Sequence, residues 1–555
     1  MTKIDVYCRN LGRTLSVEGG SNLCEIACEI EGELGFRPIC CRVNNKTEGL
    51  AYALYQPKEL DFQSRLQGSG PRVYVRSLCM MLYAAVEAAM PGARLMIEHS
   101  VSNGYYCRIE GLDDVPQTLI DTLLANLREL SAAALPFVPH EDRASVVEQL
   151  FESRGLISKA DLLRTTRDLY ATYYTLGDVC DSYYGALAPS TDHIGVFDLV
   201  KYHKGFLLMS FNPADPEHPM QPVEQNKMYK AYTDYVRFND IIGVRDVAEL
   251  NGYVAAGHSH DLINVAEALH EKALARISDE ITARYNRGGA RIVLISGPSS
   301  SGKTTSTKRL AIQLMTNLLK PKLISLDDYF VNRDRTPRDL TGDYDYESLY
   351  ALDLEQFNAD LTAILEGKEV ALPTYNFERG EREYRGNTIK LEEGSILLIE
   401  GIHGLNPELT SLIPEEMKFR IYVSALTTLS IDDHNWVPSS DTRLIRRIIR
   451  DRKYRGTGAE ETIRRWPSVR RGEEKWIFPY QENADAMFNS SFIFELAVMK
   501  DSAEAALRSV PADVPEYAEA YRLRKFLSYF VPVSPDCLPS TSILREFLGG
   551  SSFHY

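Results

Sequence analysis

Apolar and polar positions alternate over Ile4-Asp5-Val6-Tyr7-Cys8, the period of a half-buried strand. Asn10 to Arg13 reads as a turn and residues 14–17 as the returning strand. A helical pattern follows over 22–31, with Asn22 as its cap and Gly32 as its stop, and then a strand over 38–44. Much further on, Leu262, Ala266, Leu269, Ala273 and Ile277 recur on one helical face, which predicts a connecting helix. Beyond residue 291 the pattern changes. Short apolar runs at 292–295, 323–326, 395–399, 419–423 and 491–495 are separated by helical stretches. That alternation predicts an α/β unit with a doubly wound parallel sheet, whose ligands gather at the carboxyl ends of the strands. The tail carries a predicted helix over 518–529 between Pro511, Pro515 and Pro532, Pro535, Pro539, and reads as an extended arm docking elsewhere on the chain.

At 555 residues and 62.6 kDa the chain is too long for one core. The patterns divide it into an α+β unit at 1–62, a second α+β region at 63–245, a helical connector at 246–290, the parallel-sheet domain at 291–505 and the arm at 506–555. A hydrophobic share of 44% with 25% charged residues describes an ordinary globular protein. The net charge of -15 argues against nucleic-acid binding by the surface as a whole and leaves room for a local basic patch. No apolar stretch reaches membrane-span length and the N-terminus lacks a signal-peptide core, so a cytoplasmic location without membrane partners is expected. The nine cysteines are scattered without a Cys-x-x-Cys pair and read as buried thiols. His258 and His260 flank a predicted helix cap and point apart; His99 reads as a structural histidine.

The candidate chemistry starts at Gly297-Pro298-Ser299-Ser300-Ser301-Gly302-Lys303-Thr304-Thr305, a P-loop between a predicted strand and a predicted helix. Its glycines let successive N–H groups face a phosphate, Lys303 reaches the outer phosphates and the Thr304 hydroxyl suits Mg²⁺. Asp327, at the end of the second predicted strand, faces the same crevice and is the candidate base. Glu400 closes the apolar run 396–399 and is the candidate acid for Mg²⁺, directly or through water. Arg443, Arg446, Arg447 and Arg450 share a helical face, which suits a solvated basic surface or an RNA patch and, beside a P-loop, foremost a lid closing on a triphosphate.

In the order given, the P-loop, Asp327-Asp328-Tyr329-Phe330, Pro373-Thr374-Tyr375-Asn376-Phe377, Leu398-Ile399-Glu400-Gly401-Ile402 and Asp441-Thr442-Arg443-Leu444-Ile445-Arg446-Arg447 resemble the uridine kinase and phosphoribulokinase family. The resemblance implies catalysis by Asp327, Lys303, Arg446 and Arg447 and a magnesium site at Thr304 and Glu400. It places Tyr329, Tyr346, Glu347, Tyr375, Arg382 and Arg443 at the acceptor. Three departures bear on substrate: Gly380 stands where the family has a base-reading His, Asn376 stands where it has Asp, and the lid's Arg-Gly-Arg reads Arg455-Gly456-Thr457. Losing a hydrogen-bonding group relaxes base choice or signals another acceptor.

The front of the chain carries further resemblances. Residues 1–62 resemble the TGS domain, a ubiquitin-like module of threonyl-tRNA synthetases and some GTPases. The run from Arg72 through Glu98-His99-Ser100 to Tyr106 resembles the second, editing domain of those synthetases. That domain works through a His-x-x-x-His pair whose positions here hold Arg76 and Met80, so editing of tRNA is not expected. The expected activity is ATP- or GTP-dependent, Mg²⁺-dependent phosphorylation of a small-molecule hydroxyl, foremost a nucleoside 5′-hydroxyl. A non-nucleoside acceptor and a tRNA- or ribosome-associated nucleotide switch are the rival readings. An RNA or protein partner for the N-terminal half and assembly into a homo-oligomer are further expectations.

Overall fold

A computed structural model describes residues 2–166, 168–339 and 342–554. The domain that carries the P-loop is built on a five-stranded, wholly parallel sheet ordered Lys320–Ser325, Ser395–Glu400, Ile292–Ser296, Lys418–Ser424, Ala486–Asn489. The P-loop strand is central, and Ile292 to Ile295 are at most 1% exposed because helices cover both faces of the sheet. Each such side chain contributes about 1.5–3 kcal/mol by leaving water. The last strand differs from expectation. The run 491–495 is not a strand: Ser491 and Phe492 lie in a turn held by the Glu495 carboxylate, which accepts from the Phe492 N–H at 2.8 Å and opens the Glu495–Leu507 helix. The strand is Ala486–Asn489, whose polar and small residues hide its period.

The P-loop helix runs Lys303–Thr316 and starts at Gly302, whose φ of 81° is left-handed and open to glycine at little cost. Ser300, just before it, also has a positive φ of 58°, a strained setting for a residue with a Cβ. The connector is longer than its apolar stripe suggested: Ser259–Asn286 is one helix lying against the P-loop helix, tied to it where Arg309 pairs with Glu267 at 3.0 Å. His258 caps that helix beside Asp261, and His260 faces Cys537 at 3.5 Å.

The first unit is a mixed five-stranded sheet ordered Arg13–Glu18, Lys3–Cys8, Glu59–Gln63, Cys40–Val43, Lys46–Glu48, with the Leu23–Leu34 helix packed on it. Asn22 caps that helix in a capping box with Glu25. Gly32 does not stop it. The left-handed position belongs to Gly35, at φ 70°, one turn later. The second region combines the buried Gly70–Ala89 helix with a four-stranded and a three-stranded sheet. Arg76 and Met80 are buried in that helix, and the Arg76 guanidinium donates to the Ala186 carbonyl at 3.0 Å. His99 is buried and stacked on Tyr232, and burial pushes its pKa down to about 4.

The front region and the P-loop domain meet across buried charge. The Lys159 ammonium lies 2.8 Å from both Asp181 and Asp432, and His434 completes the group at 2.8 Å from Asp181. Among the described residues no helix is long and apolar enough to cross a membrane.

Candidate active site

The crevice opens at the carboxyl ends of the central strands, where the P-loop, the turn after Lys320–Ser325 and the end of Ser395–Glu400 converge. The Lys303 ammonium donates to the Pro298 carbonyl at 3.1 Å. Burial lowers its pKa, while Glu400, Asp327, Glu546 and Glu347, in that order, pull it back up. Four carboxylates thus act on one lysine, so negative charge is concentrated in the crevice.

The Thr304 hydroxyl donates to Glu400 at 3.0 Å. Burial raises the Glu400 pKa to about 7 against the pull of Lys303, so this acid is poised to give up its proton to a cation. One hydroxyl and one carboxylate fit Mg²⁺, which keeps several waters and shares substrate phosphates instead of asking for an all-protein cage. No cluster of three or more His, Cys, Asp or Glu among the described residues is arranged to hold a metal.

Asp327 belongs to a 3-10 turn, Leu326–Tyr329, not to the strand itself. Its side chain is open to the crevice, yet the protein around the crevice raises its pKa, with Lys303, Arg455 and Arg450 opposing. Asp328 points the other way and accepts from the Tyr375 N–H at 3.2 Å, fixing the Thr374–Asn376 strand that carries Tyr375.

Glu347 lies across from Asp327; burial and the neighbouring Glu473 raise its pKa to about 7, and its Oε2 is buried without a hydrogen bond. The Tyr375 hydroxyl is buried and equally unsatisfied, and the Phe330 ring meets both Tyr346 and Tyr375 edge-on. The Glu347 Oε2 and the Tyr375 hydroxyl are both buried polar atoms without a hydrogen-bond partner among the described residues. Arg382 is anchored on Asp353 at 2.7 Å, leaving its Nη1 open. Tyr329 is a correction: it is 1% exposed, donates to Asp360 at 3.0 Å and packs on Phe357, so it supports the pocket wall from behind.

Gly380 sits in a tight turn at φ 75°, and a Cβ there would come within 2.7 Å of the Arg333 guanidinium. Arg333 therefore fills the space a side chain at 380 would need. Its pKa is raised first by Tyr346, which puts a cation among the pocket aromatics.

The arginine helix, Ser439–Tyr454, is also a correction. Its apolar residues Leu444, Ile445, Ile448 and Ile449 belong to the main core, so it is not free to open and close as a lid. Arg446 is sealed beneath the P-loop, pairing with Glu495 at 2.6 Å and donating to the Ser300 carbonyl at 3.3 Å. Arg443 is likewise 3% exposed; it donates to Glu473 at 2.8 Å and to the Ser299 carbonyl at 3.1 Å, so its donors are engaged within the protein. Glu473 in turn accepts from the Ser299 N–H at 3.1 Å. Arg447 donates to the Ser299 hydroxyl at 2.9 Å and keeps one face toward the crevice, as do Arg450 and Arg455, which feel Asp327. Arg443 and Arg446 hold the loop, while Arg447, Arg450 and Arg455 all pair with Asp451 and keep part of their surface exposed.

Residues 292–493 match the Phosphoribulokinase / Uridine kinase family. A uridine kinase of Lactobacillus helveticus (strain DPC 4571) is 30% identical over 196 residues, 35% of this chain and 83% of that protein. The uridine kinase of Schizosaccharomyces pombe is also 30% identical, over 38% of this chain, which spans 41% of that relative. Uridine-cytidine kinase B of Dictyostelium discoideum is 26% identical over 35% of this chain and 73% of its own length. Among solved structures, D-glycerate 3-kinase from Cryptococcus neoformans var. grubii aligns at 14% identity and a TM-score of 0.27, covering 39% of this chain and 89% of that one.

Proposed function

Through residues 292–493 this chain belongs to the Phosphoribulokinase / Uridine kinase family, and from that premise we propose that it transfers the terminal phosphoryl group of ATP or GTP to a small-molecule hydroxyl, a nucleoside 5′-hydroxyl before others. The observation that carries the reading is the convergence of Lys303, Thr304, Glu400 and Asp327 on one crevice. Asp327 takes the proton from the attacking hydroxyl; its raised pKa brings it nearer the working pH of a general base. Lys303 and the crevice-facing Arg447, Arg450 and Arg455 stabilise charge on the group in transit. Thr304 and Glu400 would hold Mg²⁺, which would supply positive charge against the charge developing in the transfer. Glu347, Tyr375, Tyr346 and Arg382 orient the acceptor, with Arg333 occupying the place of the missing base-reading group.

We assign the front half a supporting role. The strand order of residues 2–63 supports a ubiquitin-like module, and the buried Arg76 and Met80 favour a scaffold over a deacylase. An RNA or protein partner for that half, a homo-oligomeric assembly and a cytoplasmic setting belong to the same reading. The test is a screen of nucleosides, sugars and other small alcohols as acceptors with purified protein, Mg²⁺ and ATP or GTP. Nucleoside monophosphate formation supports the proposal; donor hydrolysis with no acceptor consumed by any member of the panel refutes it.

A further inference from the structure

The C-terminal arm ends on the P-loop. Ser542, Ile543, Leu544 and Phe547 are fully buried, and the Phe547 ring lies under the Arg446 guanidinium at 5.2 Å. Ile543 covers Gly302 so closely that a Cβ on that glycine would meet its Cγ2 at 2.6 Å. From the short Arg545–Leu548 helix, Glu546 reaches the first turn of the P-loop helix. Its Oε2 accepts from the Thr305 hydroxyl at 2.6 Å and from the Thr305 N–H at 3.2 Å.

Those are the groups with which the start of a P-loop helix receives an inner phosphate of a bound nucleotide. The two ends of the cradle therefore differ. Earlier in the loop the Ser300 and Ser301 hydroxyls are buried without hydrogen-bond partners. At Thr305 an anion is already in place, supplied by the chain itself. A phosphate entering there must displace the carboxylate from its donors and meets its charge at short range. The arm does not leave cheaply, because Ile543, Leu544 and Phe547 are part of the main core.

Resting on the kinase reading of this crevice, we propose that Glu546 is a donor-specificity residue. It holds the Thr305 position that the α-phosphate of a nucleoside triphosphate would take, and so disfavours nucleotides relative to inorganic pyrophosphate, which needs only the Lys303 end. Nucleotide affinity is reduced by the fraction of molecules in which Glu546 has yielded.

The test is equilibrium binding of Mg-ATP and of Mg-pyrophosphate to the full-length protein and to its Glu546→Gln and Glu546→Ala variants. Glutamine keeps the side-chain shape and a hydrogen-bond acceptor while removing the charge; alanine removes the group and serves if glutamine disturbs folding. The expected result is Mg-ATP affinity rising at least about tenfold in both variants and by at least about fivefold more than Mg-pyrophosphate affinity, which also responds because Glu546 acts on Lys303 through space. Mg-ATP affinity unchanged or weakened in the variants, with pyrophosphate still bound, overturns the role of Glu546. Failure of every form to bind either ligand overturns the kinase reading of the crevice beneath it.

Discussion

The Arg446 guanidinium lies bidentate on the Glu495 carboxylate, Nη2 to Oε2 at 2.6 Å and Nε to Oε1 at 3.0 Å, with both side chains sealed from solvent. Arg446 also donates to the Ser300 carbonyl, and Glu495 braces the turn after the Ala486–Asn489 strand. The pair thus joins the P-loop to the far edge of the sheet. Removing one partner leaves an uncompensated buried charge, so Glu495→Gln and Arg446→Met should each destabilise the protein by about 3–5 kcal/mol. Urea unfolding measures this. A loss below about 1 kcal/mol, the value of an exposed pair, would show the contact to be dispensable.

Lys159 makes the parallel case at the boundary between the front region and the P-loop domain. Its ammonium lies between Asp181 and Asp432, and these partners outweigh burial in raising its pKa. Lys159→Met leaves those carboxylates buried together without their cation and should cost about 3–5 kcal/mol. The loss should appear in the same denaturation transition as that of Arg446→Met; an unaffected midpoint contradicts the assignment.

The strand-loop-helix of the P-loop and the acid at Glu400 were legible in the sequence because each is local: an apolar run, then a residue type that chemistry demands at its end. Glu473, Glu495 and Glu546 were not. They reach their partners Arg443, Arg446 and Thr305 across 30, 49 and 241 residues, and a local pattern does not show which distant group an acid will meet. The arginine helix misled for the same reason. Period shows which positions share a face, but only the distant acids reveal that Arg443 and Arg446 are turned inward. Gly32 resembled a helix stop because the left-handed turn that ends the helix depends on backbone path, and Gly35 supplies it one turn later.

Glu347 gives a pH dependence with a definite sign. Burial, then Glu473, raise its pKa to about 7, above the ordinary 4.5. Between those values the folded protein holds a proton that the unfolded chain has released. Stability from this group is therefore lost as pH rises from about 4.5 to about 7. Glu347→Gln removes the titration. The melting temperature of wild type relative to that variant should fall across this interval, and a constant difference would contradict it.

Mg²⁺ dependence should respond to Glu400. With the carboxylate replaced in Glu400→Gln, the Thr304 hydroxyl keeps a partner but the cation loses its charged ligand. The Mg²⁺ concentration giving half-maximal phosphoryl transfer should rise at least about tenfold, because one lost charged contact is worth about 1.5–3 kcal/mol. An unchanged requirement would place the metal elsewhere.

The central claim is that Asp327 deprotonates an acceptor held in the crevice beside Lys303. Its most direct measurement is the single-turnover rate of phosphoryl transfer to the best acceptor for wild type and Asp327→Asn, with acceptor affinity measured in parallel. The account predicts a rate lower by about 10²–10⁴-fold with acceptor affinity nearly unchanged. An Asp327→Asn protein that transfers phosphate as fast as wild type would contradict it.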